Sequence, residues 1–152
     1  MAKTYLGEIP NPTLRDFQRQ KLYHAETSCT FWNGLTILST SKVKNLVQDI
    51  SLWADIALPK LSLQGIKNGR DVAYATASNL VLPFPLAKSV PFICHEMSHV
   101  INYQRGPADH HGPNFAKAYL EVVCKFIGND EYEELKESFK KHKVKYKEVI
   151  HI

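Results

Sequence analysis

Five consecutive residues, His95-Glu96-Met97-Ser98-His99, have the side chains and the spacing that a catalytic zinc ion requires. They match H-E-x-x-H, the signature of zinc metallopeptidases. Residues four apart on a helix share one face, about 5 to 6 Å apart at Cβ, so two imidazoles can bind one ion. Two histidines leave room for a third protein ligand and a water. We therefore predict that His95 and His99 bind zinc and that Glu96, turned toward the water, is the general base.

A third ligand is expected from the loop that follows the motif. His110 and His111 stand directly before Gly112-Pro113, a pair that is typical of a helix start. Either imidazole could complete a three-ligand site that keeps its fourth position open. We favour His111, because Gly112 permits close backbone approach and Pro113 restrains the chain next to it. His110 would then support a ligand or face the substrate.

Two other side chains near the motif have ligand chemistry. In thermolysin-like enzymes a glutamate on a later helix completes the zinc ligands, which makes Glu121 a rival. Glu121 falls outside the apolar stripe of its predicted helix, so we expect it to be exposed to solvent. Cys94 precedes His95, but one residue turns it about 100° around the helix. We expect Cys94 to be a small buried side chain and not a ligand or nucleophile.

The motif needs a helix, and the surrounding pattern predicts one. Apolar residues recur at steps of three and four from Val90 to Ile101, Pro91 suits a first turn, and Gly106-Pro107 provides a stop. This helix should run from about residue 89 or 90 to 105. A second helix, with its own apolar stripe, is predicted from residue 113 to 127.

The rest of the chain predicts further helices and a small sheet. Helices are expected at residues 12–28, after an N-cap at Ser41 until just before Pro59, and in the C-terminal segment, where acidic residues precede lysines. Residues 28–39 fit either a short strand or a turn. A turn at residues 67–69 precedes two or three antiparallel strands around residues 71–76 and 79–83. The fold class expected is α+β and zincin-like, with a small antiparallel sheet packed on the active-site helix and several further helices.

Composition restricts the class of protein. A chain of 152 residues that is 44% hydrophobic predicts a single domain spanning residues 1–152. The sequence has neither a long apolar run nor a signal peptide, which predicts a cytoplasmic protein with no membrane partner. Three separated cysteines suit a reducing compartment. The formal charge of +4 is concentrated in C-terminal lysines, which could contact nucleic acid but are more typical of a solvated helix face.

The order of strand, H-E-x-x-H helix, short loop, H-G-P-x-F and second helix resembles the SprT-like (Spartan-like) zinc metallopeptidases. The chain is more closely similar to a family of small metallohydrolases of actinobacteria and their phages, whose members open with a segment like Arg15-Asp16-x-Gln18-Arg19-x-x-x-Tyr23-x-Ala25-Glu26. The resemblance implies a minimal zincin with His95, His99 and His111 on zinc and Glu96 as base. The Cys-x-x-Cys zinc ribbon of many SprT relatives is missing, so the resemblance does not imply a DNA-directed protease.

These observations predict a zinc-dependent hydrolase, preferentially a peptidase, in which a zinc-bound water attacks an amide carbonyl of a peptide or protein substrate. The tetrahedral intermediate needs a further hydrogen-bond donor, and the candidates are Tyr74, Tyr103, Arg105 and His110. The alternative is a protein-binding or nucleic-acid-binding module that zinc stabilises without catalysis. Such a module would close the site with a fourth protein ligand.

Overall fold

The structure is a computed structural model that describes residue 16 and residues 18–64, 72–106 and 108–149. Within these residues the chain forms five α-helices, three short strands and two turns of 3₁₀ helix. In chain order they are α1 (Arg19–Thr27), a 3₁₀ turn (Thr30–Trp32), α2 (Thr40–Ala54), β1 (Lys60–Ser62), β2 (Tyr74–Ala75), β3 (Asn79–Val81), a second 3₁₀ turn (Pro85–Lys88), α3 (Val90–Arg105), α4 (Pro113–Phe126) and α5 (Asn129–Lys141). The expected α+β class is confirmed.

The two central helices follow the sequence prediction closely. Helix α3 carries the H-E-x-x-H motif, has Pro91 in its first turn and ends before Gly106. Helix α4 begins at Pro113 after the loop that contains His110 and His111. The two helices pack directly against each other. The loop between them therefore returns the chain to the face of α3 that carries the motif.

The sheet differs from the prediction in one strand. β3 is central: it pairs antiparallel with β2, as expected, but parallel with β1, so the sheet is mixed. β1 is only three residues long and largely half-buried, so it lacks the alternating pattern by which a strand is predicted. β2 and β3 both pack on α3. The turn predicted at residues 67–69 lies outside the described residues.

Several helix boundaries also differ from the prediction. Ser39, not Ser41, caps α2, because its Oγ accepts the Lys42 N–H at 3.3 Å. α2 ends at Ala54, where Asp55 adopts a left-handed φ of 55°. α1 begins at Arg19, so Asp16 and Gln18 precede the helix in which they were predicted to lie, and the predicted start at residue 12 is outside the described residues. Residues 28–39 contain the first 3₁₀ turn. No helix in the described part of the chain has the length and apolarity that crossing a membrane requires.

The buried apolar side chains form two clusters that meet at α3 and α4. The first packs α2 and the sheet against one side of α3, through residues such as Ile50, Leu80 and Met97. The second packs α1 and α5 against α4, through residues such as Leu22 and Phe139. The motif histidines of α3 face this second cluster: the His99 ring stacks on the Phe115 ring with centroids 4.2 Å apart.

Candidate metal centre

Three imidazoles converge where the α3–α4 loop returns to α3. Candidate ligand nitrogens of His95, His99 and His111 all lie within 4.8 Å of one another, and all three residues are buried. The Nε2 atoms of His99 and His111 are 3.1 Å apart. Two nitrogens bound to one tetrahedral zinc at about 2.0 to 2.1 Å lie about 3.3 to 3.4 Å apart, so this spacing is close to that of a metal site. The three histidines could hold a metal ion.

A buried carboxylate orients the first of these imidazoles. Glu26 on α1 accepts a hydrogen bond from His95 Nδ1 at 2.8 Å and another from the Tyr119 hydroxyl at 2.7 Å, both on Oε2. The Tyr119 oxygen in turn accepts the Trp32 indole N–H at 3.1 Å. A carboxylate bound to one ring nitrogen fixes the tautomer and leaves the other nitrogen for a metal. His95 therefore presents Nε2 as its free coordinating atom.

His111 is held in the same way from the opposite side. Its Nδ1 lies 2.7 Å from Asp16 Oδ2, and its backbone N–H donates to Asp16 Oδ1 at 3.2 Å. The Gln18 side-chain amide donates to the His111 carbonyl at 2.9 Å and also bonds both backbone groups of Lys145. The segment after α5 thus supports the histidine loop. Because Asp16 occupies Nδ1, His111 also presents Nε2.

Asp109 fixes the shape of the loop. Its carboxylate accepts the backbone N–H groups of Asn114 at 2.7 Å and Phe115 at 3.1 Å, and the Asn102 side-chain amide at 3.1 Å. An acidic side chain at a helix N-terminus satisfies free N–H groups and complements the helix dipole. A Cβ at Gly112 would lie 2.7 Å from Asp109 Cγ and 2.9 Å from its Cβ. Glycine is therefore required for the close approach that the sequence suggested.

Burial and neighbouring charges set the protonation of the three histidines. Burial, reinforced by the adjacent His111 and His95, lowers the pKa of His99 well below its usual value. Burial also lowers the pKa of His111, although Asp16 opposes the shift. Burial disfavours a charged His95, but the Glu26 carboxylate outweighs that effect and raises the His95 pKa. Neutral imidazole is the form that binds metal, and the environment favours it at His99 and His111.

Two further side chains border the cluster. Glu96 is buried and, with His95, lines a groove at the surface. The Tyr23 hydroxyl oxygen lies 3.4 Å from His111 Nε2, the nitrogen that faces the other imidazoles. Burial, together with the carboxylates of Glu96, Glu26 and Asp16, raises the pKa of Tyr23 far above its usual value. The Tyr23 hydroxyl therefore stays protonated and can donate a hydrogen bond.

The predicted supporting residues have different positions. The Tyr103 hydroxyl lies 3.1 Å from His110 Nδ1, and its ring stacks on His99 with centroids 5.9 Å apart. His110 is buried with a left-handed φ of 57° and is not a member of the three-histidine cluster. The Arg105 guanidinium instead contacts Glu121 and the Ala54 carbonyl, each at 3.5 Å. Tyr74 is half-buried on β2.

The structure also shows the surroundings of the two side chains that were considered as alternative metal ligands, Glu121 and Cys94. Glu121 is buried, with 7% of its surface exposed, so the expectation that it is solvated was wrong. Lys117 at 3.2 Å and Arg105 at 3.5 Å neutralise it, which makes its burial possible. Cys94 is fully buried, as predicted, and burial raises its thiol pKa to about 12. A thiol with so high a pKa is a poor nucleophile at neutral pH.

Sequence reasoning assigned no role to Asp16, Tyr23, Glu26 or Tyr119. Glu26 and His95 are 69 residues apart, and Asp16 and His111 are 95 residues apart, so no local pattern connects them. The available signal was the opening segment that carried the family resemblance, since Asp16, Gln18, Tyr23 and Glu26 all belong to it. Tyr23 and Glu26 are three residues apart on α1 and so share one face, whereas Asp16 and Gln18 precede the helix.

No protein-family model matches the chain, and no curated protein or solved structure shows significant similarity to it. The geometry of the site is therefore the basis on which a function can be proposed.

Proposed function

We propose that this protein is a zinc-dependent hydrolase with a minimal zincin-like site, and that its preferred substrate is a peptide or protein. The observation that carries the proposal is the convergence of three buried imidazoles within 4.8 Å beside Glu96. The donor set supports zinc, because three histidines with an open fourth position are typical of catalytic zinc sites. The H-E-x-x-H helix supports peptide hydrolysis, because metallopeptidases use this motif.

Each residue has a distinct part in the proposed reaction. His95, His99 and His111 would hold the ion, which when bound supplies a Lewis acid and lowers the pKa of water to about 7. Glu96 accepts the proton of the attacking water and passes it to the leaving amine. The Tyr23 hydroxyl donates a hydrogen bond to the oxygen on which negative charge develops. Glu26 and Asp16 fix the ring orientation and tautomer of His95 and His111, respectively.

A non-catalytic module with a structural zinc ion is less well supported. A structural site is closed by four protein ligands, commonly including cysteine. Among the described residues, the group with ligand atoms close enough together contains three histidines and no cysteine. Cys94 is directed away from the cluster into the first apolar core.

The test combines metal analysis with hydrolysis. Purified protein should contain about one zinc per chain, and His95→Ala or His99→Ala should lose it. A fluorogenic peptide library should be cleaved, and a chelator should abolish the cleavage. Metal retained in full by both histidine variants would overturn the zinc site.

Glu96→Gln separates catalysis from metal binding. The amide keeps the shape of the side chain but cannot accept a proton, so zinc should stay bound while turnover falls by about 10²- to 10⁴-fold. Glu121→Gln is the matched control, because it neutralises a buried carboxylate outside the three-histidine cluster. Wild-type turnover in Glu96→Gln would refute the role of Glu96. No zinc-dependent cleavage across the library would favour the non-catalytic module.

A further inference from the structure

An open groove begins at the proposed catalytic residues. His95 and Glu96 form part of its wall, and its volume is about 450 Å³. The rest of the lining is mainly apolar and includes four aromatic rings, those of Tyr23, Trp32, Phe84 and Phe92. This volume lies within the range of about 300 to 1,000 Å³ that is typical of small-molecule pockets. A ligand in the groove would contact the metal-binding helix and the proposed base at once.

The aromatic wall is already assembled. The Trp32 and Phe92 rings meet edge-to-face with centroids 4.9 Å apart, and Phe84 packs on Phe92 in the same way at 5.6 Å. The Trp32 indole N–H is held by the Tyr119 hydroxyl at 3.1 Å. Rings fixed by packing and hydrogen bonding lose little conformational entropy when a ligand binds. The groove is therefore preformed for an apolar group.

The charges of the groove restrict its ligand further. Its described lining contains two carboxylates, Glu26 and Glu96, and neither lysine nor arginine. Glu26 is already bonded to His95 and Tyr119. An acidic ligand group would be repelled by these carboxylates, and the described lining offers it no lysine or arginine with which to pair. Thr27, Val72 and Ala73 complete the lining and carry no charge.

We infer that this groove binds a large apolar side chain of the substrate, aromatic or long aliphatic, next to the bond that is cleaved. That the ligand is a peptide or protein substrate rests on the proposed function. The groove's preference for an apolar group follows from its own lining. Substrate specificity would then come from α1, the first 3₁₀ turn, Phe84 and the first turn of α3, and not from the metal ligands.

A binding experiment tests the groove without requiring cleavage. The probes are N-acetyl-phenylalaninamide, N-acetyl-leucinamide and N-acetyl-alaninamide, which have no metal-chelating group. The chain has two tryptophans, so Trp53→Phe assigns the Trp32 indole N–H signal in NMR spectra of ¹⁵N-labelled protein. The phenylalanine and leucine probes should shift the Trp32 signal in a saturable way, and the alanine probe should not. Equal responses to all three probes, or none, would overturn the inference.

A cleavage profile tests the same groove in the reaction. One of the two residues that flank the cleaved bond should be large and apolar, preferred over alanine by at least about tenfold in kcat/KM. Phe84→Ala should shift this preference toward bulkier residues, and Thr27→Trp should weaken it by narrowing the groove. Leu86→Ala is the matched control, because Leu86 lies two residues after Phe84, in the second 3₁₀ turn, and is exposed but does not line the groove.

The two arms distinguish the two hypotheses. Cleavage without any size preference beside the scissile bond would overturn the inference and leave the hydrolase proposal intact. Probe binding by a protein that cleaves no peptide would overturn the hydrolase proposal and leave the apolar groove intact. Both arms use the full chain, and the wild-type probe series remains decisive if Phe84→Ala fails to fold.

Discussion

Glu26 gives the sharpest test of how the metal site is built, because it lies outside the motif that defines the site. One of its oxygens, Oε2, accepts hydrogen bonds from His95 Nδ1 at 2.8 Å and from the Tyr119 hydroxyl at 2.7 Å. Glu26→Gln keeps the length of the side chain and an oxygen that can still accept both bonds. It removes the negative charge and replaces Oε1, which accepts neither of these two bonds, with an NH₂ group. We expect weaker zinc binding in a protein that remains folded.

The size of the effect follows from the change in hydrogen-bond strength. A hydrogen bond to a charged group contributes about 1.5 to 3 kcal/mol, against about 0.5 to 1.5 kcal/mol for a neutral one. Loss of the charge should therefore cost about 1 to 1.5 kcal/mol at the His95 bond, which is about a 5- to 15-fold weaker zinc affinity. Glu26→Ala leaves His95 and Tyr119 without their acceptor and should approach the upper end of the 10- to 100-fold range known for such outer partners.

The measurement is a zinc Kd obtained by competition with a chromogenic chelator. Glu121→Gln is the control, because Glu121 is also a buried carboxylate but pairs with Lys117 and Arg105. Its zinc affinity should equal that of the wild type. If Glu26→Gln is folded by circular dichroism and binds zinc as tightly as the wild type, then the Glu26 contact does not support His95 as we have argued.

Three other predictions concern the α3–α4 loop and the Tyr23 hydroxyl. His111→Ala should abolish tight zinc binding, whereas His110→Ala should weaken it by no more than about 10- to 100-fold, and equal losses in the two titrations would contradict the assignment of His111. Gly112→Ala should displace the Asp109 carboxylate, because the new Cβ would lie within 3 Å of it. We expect the unfolding temperature to fall by about 2 to 10 °C in a thermal melt and the zinc affinity to fall as well. An unchanged melt would show that the loop can relax. Tyr23→Phe should retain zinc but reduce kcat by about 10- to 1,000-fold, and an unaltered kcat would remove the Tyr23 hydroxyl from the proposed reaction.

The parts of the fold that were predicted correctly have strong local patterns. α3 and α4 each have an apolar stripe of helical period, a proline in the first turn, and a glycine or a break at the end. β1 has three residues and no alternation, so neither its existence nor its parallel pairing could be predicted. The choice of Ser39 over Ser41 as the cap depends on one hydrogen bond that competing serines nearby could equally make.

The candidate site likewise has residues that local sequence patterns place correctly and residues whose positions depend on long-range packing. His95, Glu96 and His99 are positioned by one helix, and helical geometry alone brings them together. His111 depends on a loop whose glycine and proline mark its path in the sequence. Asp16 and Glu26 depend on how α1 docks against α3 and α4, which is a matter of packing over long sequence separations. Glu121 was mistaken for a solvated residue because Arg105, one of the two cations that neutralise it, comes from the preceding helix; only Lys117 lies on the same helix.

The position of the histidines between the two apolar clusters connects metal binding to folding. One side of α3 packs in the first cluster, while His95 and His99 lie against Phe115 of the second, at ring-centroid distances of 5.1 and 4.2 Å. His111 is held by Asp16, which precedes α1, so an ion on the three imidazoles would join α1, α3 and the α3–α4 loop. An ion that binds only the folded chain stabilises it by about 2.7 kcal/mol at one hundred times its Kd. Glu26 and Asp16 support the metal ligands without binding the ion. A substitution at either residue that weakens zinc affinity should therefore lower the stability of the zinc-loaded protein by the same free energy.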